Sequence, residues 1–148
     1  MKDMTLDAGP VEWLGVTYRT VLRPEDSGGA MSVADSVSPP ESGPPRHVHH
    51  DADETFVLLT GEADFLLDGR VVRRVAGESV FIPRGRERTF RVTAAGPCRH
   101  LVILTPGGFE GFFEAMAAGR CRIPEDMAEI EAIARRFHMT FTGPPLGA

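Results

Sequence analysis

From Val11 to Val92 the chain is a succession of short apolar runs, each broken by Gly, Pro or Asp. "VTYRTVL" at 16–22 alternates, with Val16, Tyr18, Thr20 and Leu22 on one face, the two-residue period of a strand. "MSVADSV" (31–37), "TFVLL" (55–59), "ADFLL" (63–67), "VVRRV" (71–75), "SVFI" (79–82), "TFRV" (89–92) and "HLVIL" (100–104) read as further strands. The Asp68-Gly69 pair in "LLDGRVV" sits between two apolar runs, a strong hairpin signal. Strands at this density, with turn residues between them, predict an all-β sandwich or barrel. "SPPESGPP" (38–45) must be extended or turning, because proline fixes φ and restricts the residue before it.

After Thr105 the period changes. "TPGGFEGFFEAMAAG" (105–119) predicts a helix capped by Thr105, with Pro106 in its first turn and Gly119 at its end. "IPEDMAEIEAIARRF" (123–137) predicts a second helix. Acids lie at its start and arginines at its end, as the macrodipole favours, and Met127, Ile130, Ala134 and Phe137 form an apolar stripe for packing. The tail "MTFTGPPLGA" reads as a short strand and a Pro-rich end. The expectation is one domain over 1–148: a β core over about 11–105 and a helical appendage over about 106–148.

Composition adds limits. A chain of 148 residues, 42% hydrophobic and 25% charged, can bury a full core without staples. The formal net charge of -5 argues against a nucleic-acid or anionic-membrane partner. Cys98 and Cys121 form no CxxC pair and read as reduced, packed thiols. The polar start "MKDMTLDAGP" has no apolar core of a signal peptide, and no run reaches membrane-span length, so a cytoplasmic protein is expected.

The candidate chemistry is concentrated in "PPRHVHHDADETFVLLTG" (44–61), which holds three of the five histidines. Alternation along a strand points His47 and His49 the same way and His50 the other, toward the surface. Glu54 opens the next run and can return beside the two imidazoles. Two neutral imidazoles and a carboxylate make a facial set suited to a divalent transition metal such as Fe, Mn, Ni or Zn, with positions left open. Clustered histidines at a Pro-rich strand start are also common as plain exposed polar residues. Asp51 and Asp53 lie in the intervening loop and read as turn formers.

Spacing further along supplies context. Gly61 follows Glu54 by seven positions, and "GESVFIPRGRER" places Gly77, Pro83, Gly85 and Arg88 in sequence. These two stretches resemble the paired motifs of the cupins. HxH, four residues, Glu, six residues, Gly is the first motif; Gly43 stands closer to His47 than the family's leading glycine often does. Gly, five residues, PxG is the first half of the second. The tail also resembles the small single-domain, quercetin-dioxygenase-like cupins. The resemblance implies a double-stranded β-helix, a jelly-roll barrel with two short C-terminal α-helices packed outside it. It also implies a homodimer paired through edge strands, to which Trp13 and Tyr18 could contribute unless they simply pack.

The second motif then departs from the family. Its metal histidine falls on Arg88 and its closing asparagine on Val92. Arginine stays protonated and has no lone pair for a metal. Arg88 alternates with Thr89 and is expected to face inward, where it suits a bidentate pair with Glu54. Three arrangements stay open. His47, His49 and Glu54 alone hold a metal, with Arg88 swung aside or binding an anionic substrate. A further residue, of which His100 is the strand-borne candidate and His138 lies near a helix end, completes the shell. Or the metal is lost, and Arg88 and the histidines bind a small anion. Arg84, Arg86 and Arg91 read as loop arginines at the barrel mouth before a phosphate patch. The expected pocket is walled by Phe56, Leu58, Phe65, Phe90 and Val92, a mostly apolar small-molecule site. The function expected is a metal-dependent, dioxygenase-like enzyme with Glu54 and Arg88 in catalytic roles. The alternative is a metal-free, non-catalytic cupin for a small anionic ligand.

Overall fold

The computed structural model describes residues 9–147. The polar start read above as lacking a signal peptide lies almost wholly outside the described residues. The strands are β1 (Val11–Trp13), β2 (Val16–Leu22), β3 (Ser32–Ser38), β4 (Pro45–His49), β5 (Asp53–Thr60), β6 (Glu62–Leu67), β7 (Arg70–Val75), β8 (Ser79–Ile82), β9 (Arg88–Val92), β10 (Cys98–Thr105) and β11 (Met139–Pro145). Two helices, α1 (Glu110–Gly119) and α2 (Met127–Arg136), precede β11. Every expected run forms a strand. Asp68 and Gly69, at φ 51° and 81°, make the tight turn between β6 and β7, where Leu67 faces Arg70.

The strands form two antiparallel sheets. The first has the order β1-β2-β3-β10-β5-β8 and the second β11-β4-β9-β6-β7. Consecutive strands alternate between sheets at several points, which is the double-stranded β-helix. The inward faces of both sheets meet in one core that includes Phe56, Leu58, Phe65, Ile82, Val92 and Leu104. Two glycines allow the chain to wrap this tightly. A Cβ on Gly43 would lie 1.9 Å from the carbonyl oxygen of Phe90. Gly61, at φ 81°, would put one 2.4 Å from the oxygen of Pro97.

The C-terminal segment is more than an outer appendage. Phe109, Phe112 and Met116 of the α1 region, and Ile130 and Ala134 of α2, belong to the same buried core as the barrel strands. Strand β11 then extends the second sheet beside β4, so the β structure continues beyond Thr105. The α2 stripe packs as expected, with Ile130 and Ala134 fully buried and Met127 and Phe137 against them. Helix α1 starts later than its sequence suggests. Thr105 does not cap it, because its backbone still pairs with Asp53 in the sheet. Gly107 then passes so close to Met31 and Ser32 that a Cβ would lie 2.6 Å from the Met31 carbonyl carbon. Only after this crossing does the chain turn helical, at Glu110. Trp13 and Tyr18 pack inward on α1. Trp13 Nε1 donates to the Cys121 carbonyl at 2.7 Å, and the Tyr18 ring stacks on Phe113 at 4.1 Å.

Strand β3 inverts the usual pattern. Ser32, Ala34, Ser36 and Ser38 face inward and are buried, while Val37 is 39% exposed on the outer face. The barrel interior therefore carries a polar stripe on one wall. No helix among the described residues is long and apolar enough to cross a membrane.

Candidate metal and ligand site

The site bridges the two sheets. Alternation along β4 turns His47 and His49 inward, at 8% and 2% exposure. His47 is the direct cross-strand partner of Arg88 on β9. Glu54 comes from β5 in the opposite sheet and is 4% exposed. One ligand atom from each of His47, His49 and Glu54 lies within 4.8 Å of the others. The three residues singled out by spacing are thus brought together, while His50 is exposed and hydrogen-bonds Thr140 Oγ1 at 2.9 Å.

The imidazoles are prepared for an electrophile. His47 Nδ1 lies 2.8 Å from the Pro45 carbonyl, which can only accept, so Nδ1 carries the proton and Nε2 keeps its lone pair. Burial, and then the neighbouring His49, lowers the His47 pKa to about 4. Burial and then the Arg88 charge lower His49 to about 3. Both rings are neutral through the physiological range. The Phe109 ring stands edge-on to His49 with centroids 4.3 Å apart.

Arg88 is fixed in place. It is 1% exposed and donates through Nη1 to Glu54 Oε1 at 2.8 Å, through Nε to the Arg86 carbonyl at 2.9 Å, and through Nη2 to the Pro83 carbonyl at 3.0 Å. It has not swung aside. His49 Nε2 lies 3.6 Å from the same Glu54 oxygen. The donor set fits a transition metal in kind, with two neutral imidazoles and a carboxylate. It fits with three protein ligands, because the guanidinium at the fourth position cannot be one.

These groups line a cavity of about 140 Å³. That volume is comparable to a cavity of about 150 Å³ that holds a single benzene ring. Its walls are mostly apolar and rich in aromatic rings. Phe56, Phe65 and Phe90 line it as expected, but Leu58 and Val92 do not. Those two are fully buried in the core packing. The sequence reading missed Phe109, Phe112 and Phe113, which α1 brings to the cavity from outside the barrel strands. The aromatic density of "FEGFF" was the available signal.

The other polar residues resolve simply. His100 faces inward, 4% exposed, on the cavity wall and apart from the His47, His49 and Glu54 group. His138 is exposed beside Asp51. Asp53 accepts from the Arg84 backbone at 2.9 Å and its guanidinium at 3.1 Å, tying two loops together. Arg86 pairs with Asp68. These arginines are therefore neutralised in place, and Cys98 and Cys121 are buried free thiols.

Comparison with known proteins agrees with this geometry. A profile of the cupin domain matches residues 36–104. Among curated proteins, the endoribonuclease YbeY of Myxococcus xanthus is 30% identical over 105 residues, 71% of this chain and 35% of that protein. The chain thus spans about a third of the curated relative it matches. Among solved structures, the polyketide cyclase RemF of Streptomyces resistomycificus is 25% identical, with TM-score 0.58 over 71% of this chain and 79% of that one. A predicted oxalate decarboxylase of Thermotoga maritima is also 25% identical, with TM-score 0.58 over 62% and 80%. The Cnp3 cupin domain of Schizosaccharomyces pombe, 12% identical, shares the fold with TM-score 0.60 over 79% of each chain. With the first motif and half of the second placed on one site, two sheets in the double-stranded β-helix order and the profile spanning β3 to β10, residues 36–104 are a cupin domain.

Proposed function

We propose that this cupin binds a small organic molecule at a three-ligand metal centre and acts on it as a metal-dependent, dioxygenase-like enzyme. The observation that carries this reading is the convergence of His47, His49 and Glu54, all buried, on the wall of a largely apolar cavity. A divalent ion held there would polarise a substrate oxygen as a Lewis acid and, if redox-active, support oxygen chemistry. The chain's own residues would do the rest. Pro45 fixes the His47 tautomer, and Phe109 holds the His49 ring. Arg88 offers its remaining N–H donors to an anionic oxygen of the substrate, while Glu54 Oε2, the oxygen that does not take the Arg88 Nη1 bond, would ligate or accept a proton. The aromatic walls exclude water.

A second reading rests on the Arg88–Glu54 contact. The pair is charge-neutral without a metal, and with two neutral imidazoles beside it the site is self-consistent as a pocket for a small anion. A guanidinium beside a divalent cation is repulsive, on the order of several kcal/mol at low dielectric.

Metal content separates the two. Moles of transition metal per chain would be measured after purification without a histidine tag or chelator. A value near one that is lost in His49→Ala supports the metal centre. A value near zero after dialysis against iron, manganese, nickel and zinc leaves the anion pocket. A homodimer, and the absence of nucleic acid and membrane partners, complete the proposal; light scattering in solution tests the first.

A further inference from the structure

The cavity has a second polar feature that the metal and arginine end does not use. His100 and Ser38 lie on the inward face of neighbouring strands β10 and β3, and both line the cavity. His100 Nε2 is 3.1 Å from Ser38 Oγ. Among the described residues its other ring nitrogen, Nδ1, has no hydrogen-bond partner, and neither has Ser36 Oγ, whose residue is the direct cross-strand partner of His100. Ser38 Oγ keeps spare capacity, since a hydroxyl offers one donor and two lone pairs. Buried polar groups are rarely left this way, because an unmade hydrogen bond keeps the full desolvation cost.

The surroundings make this more than a buried histidine. The His100 ring is flanked by Phe56 at 5.8 Å and Phe90 at 5.6 Å, and Phe65 packs on both of those rings. Along β5, Glu54 pairs with Leu104 and Leu58 with His100, so the two polar ends stand four residues apart. That is about 13 Å of strand. Between them the walls are aromatic. An apolar barrel interior has no packing need for two serines and a histidine at this place.

We propose that His100 and Ser38 form a second anchor of the same cavity, and that its ligand is a compact ring with an anionic oxygen group at the Arg88 end and a hydroxyl or carbonyl at the His100 end. This rests on the reading that the cavity takes a small molecule at the His47, His49, Glu54 and Arg88 centre. It adds a specificity determinant farther along the sheet that carries Glu54 and narrows the ligand class to a ring bearing two polar groups. An aromatic or enolic ring acid with a second oxygen meets both ends.

The test is calorimetric titration of the protein as purified with two probes, benzoate and 4-hydroxybenzoate. The hydroxylated probe should bind about tenfold more tightly, the scale of one hydrogen bond. His100→Leu should erase the preference, bringing the two probes to equal affinity, and Ser38→Ala should reduce it. Ser38→Ala carries the test alone if His100→Leu does not fold. Equal affinity for both probes, or a preference that survives both variants, overturns the second anchor and leaves the small-molecule reading standing. Failure of both probes to bind overturns the anchor and the small-ligand reading together, whatever the metal content proves to be.

Discussion

Arg88 Nη1 donates to Glu54 Oε1 across 2.8 Å, and both side chains are almost wholly buried, at 1% and 5% exposure. The pair links the two sheets, since Arg88 stands on β9 and Glu54 on β5. It also occupies the site's chemistry. Glu54 is at once the partner of a fixed cation and a candidate ligand for a mobile one. Each role weakens the other, because a carboxylate oxygen shared with a guanidinium has less charge to give a metal.

Removing the guanidinium should therefore strengthen metal binding. In Arg88→His the like charge is gone and a fourth lone pair stands opposite His47, at the family's own ligand position. Affinity for a divalent transition ion should rise by at least about 10- to 100-fold, the range seen when even outer-shell support of a ligand changes. Competition against a chelator dye would measure it. Affinity equal to that of the parent protein would count against a metal centre of any kind.

Glu54→Gln keeps the shape and removes the charge. The Arg88 guanidinium would then be buried without its carboxylate, with only the Arg86 and Pro83 carbonyls as acceptors besides the amide. Breaking one side of a buried pair costs about 3–5 kcal/mol. Urea unfolding should show a loss of that order. A loss below about 1 kcal/mol, the worth of a surface pair, would mean that the interaction is screened and the cavity wet.

Much of this architecture was legible because alternation and turn residues are local. The β2 face of Val16, Tyr18, Thr20 and Leu22, the Asp68-Gly69 turn, the α2 stripe and the shared face of His47 and His49 all follow from periods of two or 3.6 residues. What escaped was non-local. In "RHLVIL" both faces are apolar enough to be inside, so only the pairing of His100 with Leu58 and Ser36 fixes its direction. In β3 a rule of apolar residues inward would bury the valines, yet the serines are inside. Helix α1 sends Phe109, Phe112 and Phe113 to the cavity by a crossing over Met31 and Ser32 that no local pattern encodes.

Gly43 shows how a motif position becomes a stability statement. The family's leading glycine is displaced toward His47 here, and the reason for a glycine is a close backbone approach: its absent Cβ would sit 1.9 Å from the Phe90 carbonyl oxygen. Backbone cannot swing away as a side chain can. Gly43→Ala should destabilise the fold by about 1–3 kcal/mol through overpacking. It should also weaken ligand binding, since Phe90 lines the cavity. A melting temperature and ligand affinity both equal to the parent's would show that the β4 entry and β9 can separate freely.

The buried histidines set the acid limit of the apo protein. Burial lowers the His100 pKa from 6.5 to about 4, with Asp35 opposing the shift. The folded value lies below the unfolded one, so on acidification the unfolded chain takes up a proton that the folded chain refuses. The stabilisation is complete above 6.5 and is lost progressively as the pH falls from 6.5 to about 4. Below that both states are protonated and the loss levels off. The slope is at most about 1.4 kcal/mol per pH unit for each histidine. His47 and His49 act in the same sense, down to about 4 and about 3. Urea unfolding at a series of pH values should show stability falling steeply through this window. His100→Leu should make the fall shallower by its own share, about 1.4 kcal/mol per unit. A stability flat across the window, or a slope that the variant leaves unchanged, would mean that water reaches the cavity and solvates the imidazolium.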